Sequence, residues 1–206
     1  WNGDVIIYTK RSAMPNKAGS RYFDLYEFDL ISKKEKRLSR DERAFSPVFS
    51  KNDSSIYYLT TLDGTHNIYK KDLKLNSSKK MSDFSNHEIL NNLTLDIESN
   101  RLLFEMTTSH NKMIYFLNLN DGTQGKYIES EGWDARNPDI LNNKIIYSDD
   151  RSGIFNLYYI GVNQQGYITN TNGGAFMPDY HRNGKLVYTH FQNGIFKLAL
   201  LDSIVI

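Results

Sequence analysis

The feature that most constrains this chain is an internal repeat. An apolar run ending in an aromatic residue occurs five times: VIIY at Val5–Tyr8, SIYY at Ser55–Tyr58, RLLF at Arg101–Phe104, KIIY at Lys144–Tyr147 and KLVY at Lys185–Tyr188. The closing aromatics stand 50, 46, 43 and 41 positions apart. A second anchor follows each run: DLYEFDL at Asp24–Leu30, NIYKKDL at Asn67–Leu73, MIYFLNL at Met113–Leu119, NLYYIGV at Asn156–Val162 and KLALLD at Lys197–Asp202. The tripeptide Gly-Ile-Phe comes just before the last two, at Gly153–Phe155 and Gly194–Phe196. Periods of this size describe propeller blades and also helical solenoids. Apolar residues here, however, fall in short runs between Asn-, Asp- and Gly-containing turns, and no i, i+3, i+4, i+7 stripe extends over ten residues. With 14 Tyr and 11 Phe against 4 Pro, the pattern predicts an all-β chain. It reads as a β-propeller of four-stranded antiparallel blades, with about five units at approximately 1–45, 46–90, 91–136, 137–176 and 177–206.

The best unit is SPVFSKNDSSIYYLTTLDGTHNIYKKDL, Ser46–Leu73. It resembles the blade motif of TolB-like (WD40-like) propellers, in which a Ser-Pro-x-Phe-Ser inner strand is followed by Asp-Gly turns and an Ile-Tyr third strand. Parts of the motif return at Asn137-Pro138-Asp139, with Asp150-Arg151-Ser152-Gly153, and at Met177-Pro178-Asp179, with Arg182-Asn183-Gly184. The third unit departs from it, with Asn92-Leu93 where Ser-Pro would stand. The first unit enters at its second strand, and the last stops soon after its third. Because TolB-like rings usually close with six or more blades, the resemblance implies an incomplete ring whose remainder lies beyond one or both ends. Trp1 is not a start residue, and no signal peptide follows it.

Composition removes several function classes. Twenty-five Lys and Arg against 24 Asp and Glu leave a net charge of +1, too little for the counterion release that drives nucleic-acid binding. No apolar stretch reaches the roughly 20 residues of a membrane-spanning helix, so no membrane insertion by this segment is expected. Without cysteine there is no disulfide, thiol nucleophile or thiolate zinc site.

In an antiparallel blade the loop entering the first strand and the loop between the second and third open on the same face. On that face lie Arg40–Phe45, Asn86-His87-Glu88, Glu131–Arg136 and Asn172–Phe176. Ring geometry would gather them at a channel mouth. Arg, Trp and Phe beside carboxylates are the residue types that anchor interfaces, so Arg43, His87, Trp133, Asp134 and Arg136 are the candidate partner-binding residues. The competing role is structural, with Phe45 and Phe176 wedged between blades and the Arg and Asp side chains paired with each other. The opposite face collects Lys33, Lys34, Lys36, Lys74, Lys79, Lys80 and Lys126, either as solubility and edge protection or as an anion-binding surface. The long Arg11–Arg21 loop reads as a mobile surface loop or a lid.

No catalytic constellation emerges. The histidines His66, His87, His110, His181 and His190 form no His-x-x-x-His pair, and Gly-x-Ser-x-Gly and phosphate-cradling glycine motifs are absent. Asp149-Asp150-Arg151 reads as a structural turn. The expectation is a non-enzyme without metal or cofactor, and the resemblance to TolB-like propellers implies a binding propeller of a bacterial envelope, periplasmic or otherwise exported, docking a protein or peptide at the channel mouth. Two alternatives stay open, an accessory gating propeller of a larger protease or hydrolase and a propeller lyase or lactonase.

Overall fold

Each repeated run forms a strand, and the two anchors of a unit pair with one another. The computed structural model describes residues 3–52, 54–107 and 109–204; Trp1, Asp53 of the Lys51-Asn52-Asp53 turn, and Ile206 lie outside them. The strands are β1 (Val5–Arg11), β2 (Phe23–Asp29), β3 (Glu35–Arg37), β4 (Ala44–Phe49), β5 (Ser55–Thr60), β6 (Asn67–Asp72), β7 (Ser77–Lys80), β8 (Ile89–Asp96) and β9 (Arg101–Thr107). They continue as β10 (Lys112–Asn118), β11 (Gln124–Ile128), β12 (Ala135–Leu141), β13 (Lys144–Asp149), β14 (Asn156–Ile160), β15 (Gln165–Tyr167), β16 (Ala175–Tyr180), β17 (Leu186–Gln192) and β18 (Ile195–Leu201). Five sheets form in chain order, β1-β2-β3, β4 to β7, β8 to β11, β12 to β15 and β16-β17-β18. These are the blades of a β-propeller, three with four strands and two with three. Contacts divide the chain into two compact units, Trp1–Leu93 and Thr94–Ile206, with the boundary inside β8.

The repeat is a register. Tyr8 lies opposite Tyr26, Tyr58 opposite Tyr69, Phe104 opposite Tyr115 and Tyr147 opposite Tyr158. Their ring centroids are 6.0, 5.9, 6.3 and 5.7 Å apart, the spacing of favourable cross-strand aromatic pairs. In the fifth sheet Ala199 takes the place of the second ring.

The residue before each second-anchor aromatic turns to the other face of the sheet and builds the core. Leu25, Ile68, Ile114 and Leu157 are all fully buried, whereas the equivalent Leu198 is 82% exposed. Sheet packing repeats as well. Leu25 and Leu38 meet Ala44, Ile56 and Tyr58; Leu103 and Ile114 meet Ala135, Ile145 and Tyr147; Ile146, Leu157 and Tyr159 meet Ala175, Leu186 and Tyr188. Each such buried aliphatic contributes about 1.5–3 kcal/mol.

The X-Pro motif is a bulge. Register shifts between Phe45 and Val48, Arg136 and Asp139, and Phe176 and Asp179, where Ser46, Asn137 and Met177 have φ of 49°, 51° and 51°. Proline fits after them because it carries no N–H that a bulged ladder would leave unpaired. Asn92 has φ of 48° without a following proline, so the third unit keeps this conformation despite its divergent sequence.

Candidate functional site

A recurrent side-chain latch fixes the loops that lead from one sheet to the next. Two residues after the last strand of a sheet stands a hydroxyl residue: Ser39, Ser82, Ser130 or Thr169. Ser39 Oγ accepts from the Leu25 N–H at 2.9 Å and donates to Asp24 at 2.8 Å. Ser82 does the same with the Ile68 N–H (2.8 Å) and Asn67 (2.9 Å), and Thr169 with the Leu157 N–H (2.8 Å) and Asn156 (3.0 Å). In the third sheet Asn111 Nδ2 donates to Ser130 Oγ at 2.7 Å, and that hydroxyl donates to the Lys112 carbonyl at 3.1 Å. The carboxamides then accept from the loop itself, Asn67 from Phe84 N–H and Asn156 from Thr171 N–H, each at 2.8 Å. Buried polar groups thus satisfy one another, and each loop leaves its sheet at a set point.

In the C-terminal unit three of the five expected site residues come together. Trp133 is partly buried, packed on the cluster around Tyr147, and its exposed ring face carries the Arg151 guanidinium at 4.4 Å. Asp134 is fully engaged: its carboxylate accepts from the Lys112 N–H at 2.8 Å and from Arg136 Nε at 3.0 Å, and its own N–H donates to Asp150 at 2.8 Å. Arg136 lies over the Phe155 ring at 4.7 Å. From Phe155 an aromatic run continues to Phe176 at 5.1 Å, to Phe196 at 6.2 Å and to Phe191 at 4.8 Å from Phe196. Phe196 is 65% exposed. Under this run Gly173 is obligatory, because a Cβ there would lie 2.0 Å from the Phe191 carbonyl oxygen. Phe155 and Phe196 are the aromatic ends of the repeated Gly-Ile-Phe tripeptide, a signal present in the sequence as a repeat marker but not as a surface.

Arg151 completes this region. It donates to Asp149 from Nε at 3.1 Å and Nη2 at 2.6 Å, lies 4.2 Å from the Tyr158 ring centroid, and shares Asp149 with the Tyr167 hydroxyl at 2.6 Å. Burial alone would lower its pKa, but the hydrogen bond to Asp149 and nearby negative charge leave it above its usual value. Asp149-Asp150-Arg151 therefore builds a turn, with Asp149 fully buried.

In the N-terminal unit the other two candidates stand on exposed loops. Arg43 has φ of 52°, lies 4.5 Å over the Tyr22 ring and donates to its hydroxyl at 3.1 Å, a bond that lowers the Tyr22 pKa. His87, with φ of 60°, is exposed beside Glu88, which accepts from the Asn86 N–H at 2.8 Å. Phe45 packs edge-on to His66 at 5.3 Å, and His66 Nδ1 lies 2.9 Å from the Leu90 carbonyl oxygen. The Arg11–Arg21 loop is closed on itself by Asn16, whose side chain accepts from the Ala18 and Ser20 N–H groups at 2.9 Å. Of the lysines read as one face, Lys80 pairs with Asp63 (3.1 Å) and Asp83 (2.8 Å), and Lys126 with Glu129. Among the described residues no cluster of three His, Asp or Glu could hold a metal, and no helix is long and apolar enough to cross a membrane.

No protein-family model matches the chain, and no curated protein matches it. Solved structures do. TolB from Acinetobacter baumannii superposes with a TM-score of 0.77 at 21% identity over 97% of this chain and 51% of that one. The chain thus spans about half the length of that TolB. A TolB candidate from Agrobacterium tumefaciens gives 0.71 at 12% identity, over 98% and 79%. The β-propeller domain of the Trilobed protease from Pyrococcus furiosus gives 0.60 at 12% identity, over 97% and 65%. At these identities the likeness establishes architecture, and with the aromatic register and the bulged X-Pro strands it gives the chain the fold of a TolB-like β-propeller.

Proposed function

We propose that this chain is a non-catalytic binding propeller that docks a protein or peptide through the loops flanking its first strands, in an exported, periplasmic setting. The observation that carries the reading is the partly exposed Arg–aromatic run from Trp133 and Arg151 through Arg136 and Phe155 to Phe176 and Phe196. Rigid aromatics and stacked guanidinium groups are what interface hot spots are made of, because they bury area at low entropic cost. Asp134 serves this surface by holding Arg136 rather than by touching a partner. In the N-terminal unit, taken by itself, Arg43 over Tyr22 and the exposed His87 remain the candidate contact residues. The resemblance to TolB-type propellers supports the envelope setting.

A photo-crosslinking amino acid at Ser152, beside this run, should trap a discrete protein adduct in the native cell envelope. The same group at Gln164, on the exposed β14–β15 turn at the other end of β14, should not. Equal adducts from both positions, or none from Ser152, would count against the assignment of the face. A second reading is favoured by the likeness to propellers of peptidases, such as the acylaminoacyl peptidase of Pyrococcus horikoshii, with a TM-score of 0.62 over 99% of this chain and 44% of that one. In it the propeller gates a hydrolase domain, and a full-length reading frame encoding such a domain would decide for it.

A further inference from the structure

We propose that the cleft between the first and second sheets is a binding site for a small phosphoryl-bearing ligand. The cleft has a volume of about 560 Å³ and is lined by Lys36, Arg37, Leu38, Arg40, Glu42, Lys71, Leu73, Lys74 and Asn76 among others. That volume lies in the range of about 300–1,000 Å³ typical of small-molecule sites. Its centre is Lys71 on β6. The residue is only 4% exposed, yet its side chain makes no hydrogen bond or ion pair among the described residues. Its ammonium is not sealed from water, because among the described residues Ser148 Oγ alone is a buried side-chain polar atom without a hydrogen-bond partner. A buried stem carries the charge to the cleft, where no protein group meets it. Lys71 thus opens onto a cleft with more charge of its own sign.

The balance of charge selects the ligand. Arg37 is committed to the protein, at 2.5 Å from Asp24 and 3.6 Å from Asp41. Lys36, Arg40 and Lys74 are exposed and, like Lys71, have no side-chain hydrogen bond or ion pair among the described residues. Against these four cations the lining offers one carboxylate, Glu42, which accepts from the Tyr58 hydroxyl at 2.9 Å. A monocarboxylate ligand would neutralise only one unit of the excess, whereas a phosphate ester or pyrophosphate carries two or more. Three of the four are ammonium groups, point charges able to surround a tetrahedral oxyanion, and the fourth, the Arg40 guanidinium, also pairs with phosphate oxygens. Asn76 adds an amide donor at the rim. Leu38 and Leu73, both in the core cluster of the first two sheets, give the cleft an apolar floor.

Pyrophosphate is the probe, titrated in low-salt buffer with melting temperature and heat of binding as readouts. Wild-type protein should melt higher with millimolar pyrophosphate, as a ligand that binds only the folded state requires, and potassium chloride of equal ionic strength should not reproduce the shift. Lys71→Met keeps the volume and removes the charge. It should melt at or above the wild-type temperature without ligand and lose at least about tenfold in affinity, the equivalent of one charge-assisted hydrogen bond. Lys36→Gln with Lys74→Gln, both exposed, should weaken binding without affecting folding, and Lys79→Gln, outside the cleft, should bind as wild type. The proposal fails if pyrophosphate gives no shift, if chloride gives the same shift, or if the shift survives in Lys71→Met. Capture on phosphatidylglycerol vesicles without any response to pyrophosphate would overturn it in favour of a membrane surface.

Discussion

Lys71 and Arg151 are both long cations held against the β-sheets, and the protein treats them in opposite ways. Arg151 is surrounded by its own protein: two bonds to Asp149, the faces of Trp133 and Tyr158, and a neighbouring Tyr167 hydroxyl on the same carboxylate. Lys71 is more deeply buried, at 4% exposure, and has none of this. A cation with a complete set of partners fixes a loop and is used up in doing so. One whose stem is buried but whose ammonium reaches an open cleft without a protein partner stays available to a ligand.

The contrast breaks most readily at Asp149. Asp149→Ala would leave the Tyr167 hydroxyl and the partly exposed Arg151 guanidinium without their shared acceptor, and losing hydrogen bonds to a buried charged group costs about 1.5–3 kcal/mol. Urea unfolding should therefore show a loss of that size; a loss below about 1 kcal/mol would mean that Arg151 is no better compensated than Lys71.

Asp139 sharpens the comparison from the acidic side. It has only backbone partners, the Tyr180 N–H at 2.6 Å and the Ile140 N–H at 3.0 Å. Burial pushes its pKa up to about 6, the Tyr180 hydrogen bond works against this, and the nearby Asp179 adds to it. The folded form thus holds the proton more tightly than the unfolded chain. Its contribution is fully present below about pH 4 and is lost as pH rises through about 6. Asp139→Asn, which can keep only one of the two backbone bonds, should accordingly gain on wild type by about 1–3 kcal/mol as pH rises from 4 to 7. Equal pH profiles for the two proteins would remove Asp139 from the comparison.

The smallest effect concerns a neutral partner. Ser82→Ala deletes a hydroxyl that serves both Ile68 N–H and Asn67. A loss of about 1 kcal/mol is expected, with the melting temperature as readout. A loss as large as that of Asp149→Ala would show that charge is not what separates the two regions.

The fold was legible because the repeat is carried by residues that face each other. Tyr58 and Tyr69, or Tyr147 and Tyr158, stand in separate anchor motifs and meet as cross-strand pairs, so spacing alone located all five hairpins, four of them with an aromatic on both strands. The doubtful third unit proved regular because Asn92 reaches φ of 48° by its own tolerance of left-handed backbone. The first unit, read as entering at its second strand, and the last, read as stopping after its third, form the two three-stranded sheets. The latch was missed because Ser39, Ser82, Ser130 and Thr169 recur at 43, 48 and 39 positions, irregularly and in Ser-rich surroundings. Trp133, Asp134 and Arg136 were singled out from residue type, while Phe155 and Phe196 were noticed only as repeat markers. Lys71 was passed over because Lys70-Lys71 reads as an ordinary charged pair. Which of the two is buried depends on a neighbouring sheet, and sequence periodicity carries no information about that.

The hydroxyl latch also bears on how such a chain can change over time. Each latch closes on its own sheet, through a hydroxyl and a buried Asx or backbone group that a connecting segment does not itself provide. Segments such as Ser85–Glu88, beyond the anchored Phe84 N–H, can then be lengthened, exchanged or rewritten while both attachment points stay where they are, whereas the corresponding stretch before β16 must keep Gly173. Mutational drift would accumulate between the fixed points and leave the strands unchanged. For protein engineering, the same partition marks where a foreign recognition peptide could be grafted with least disturbance to folding.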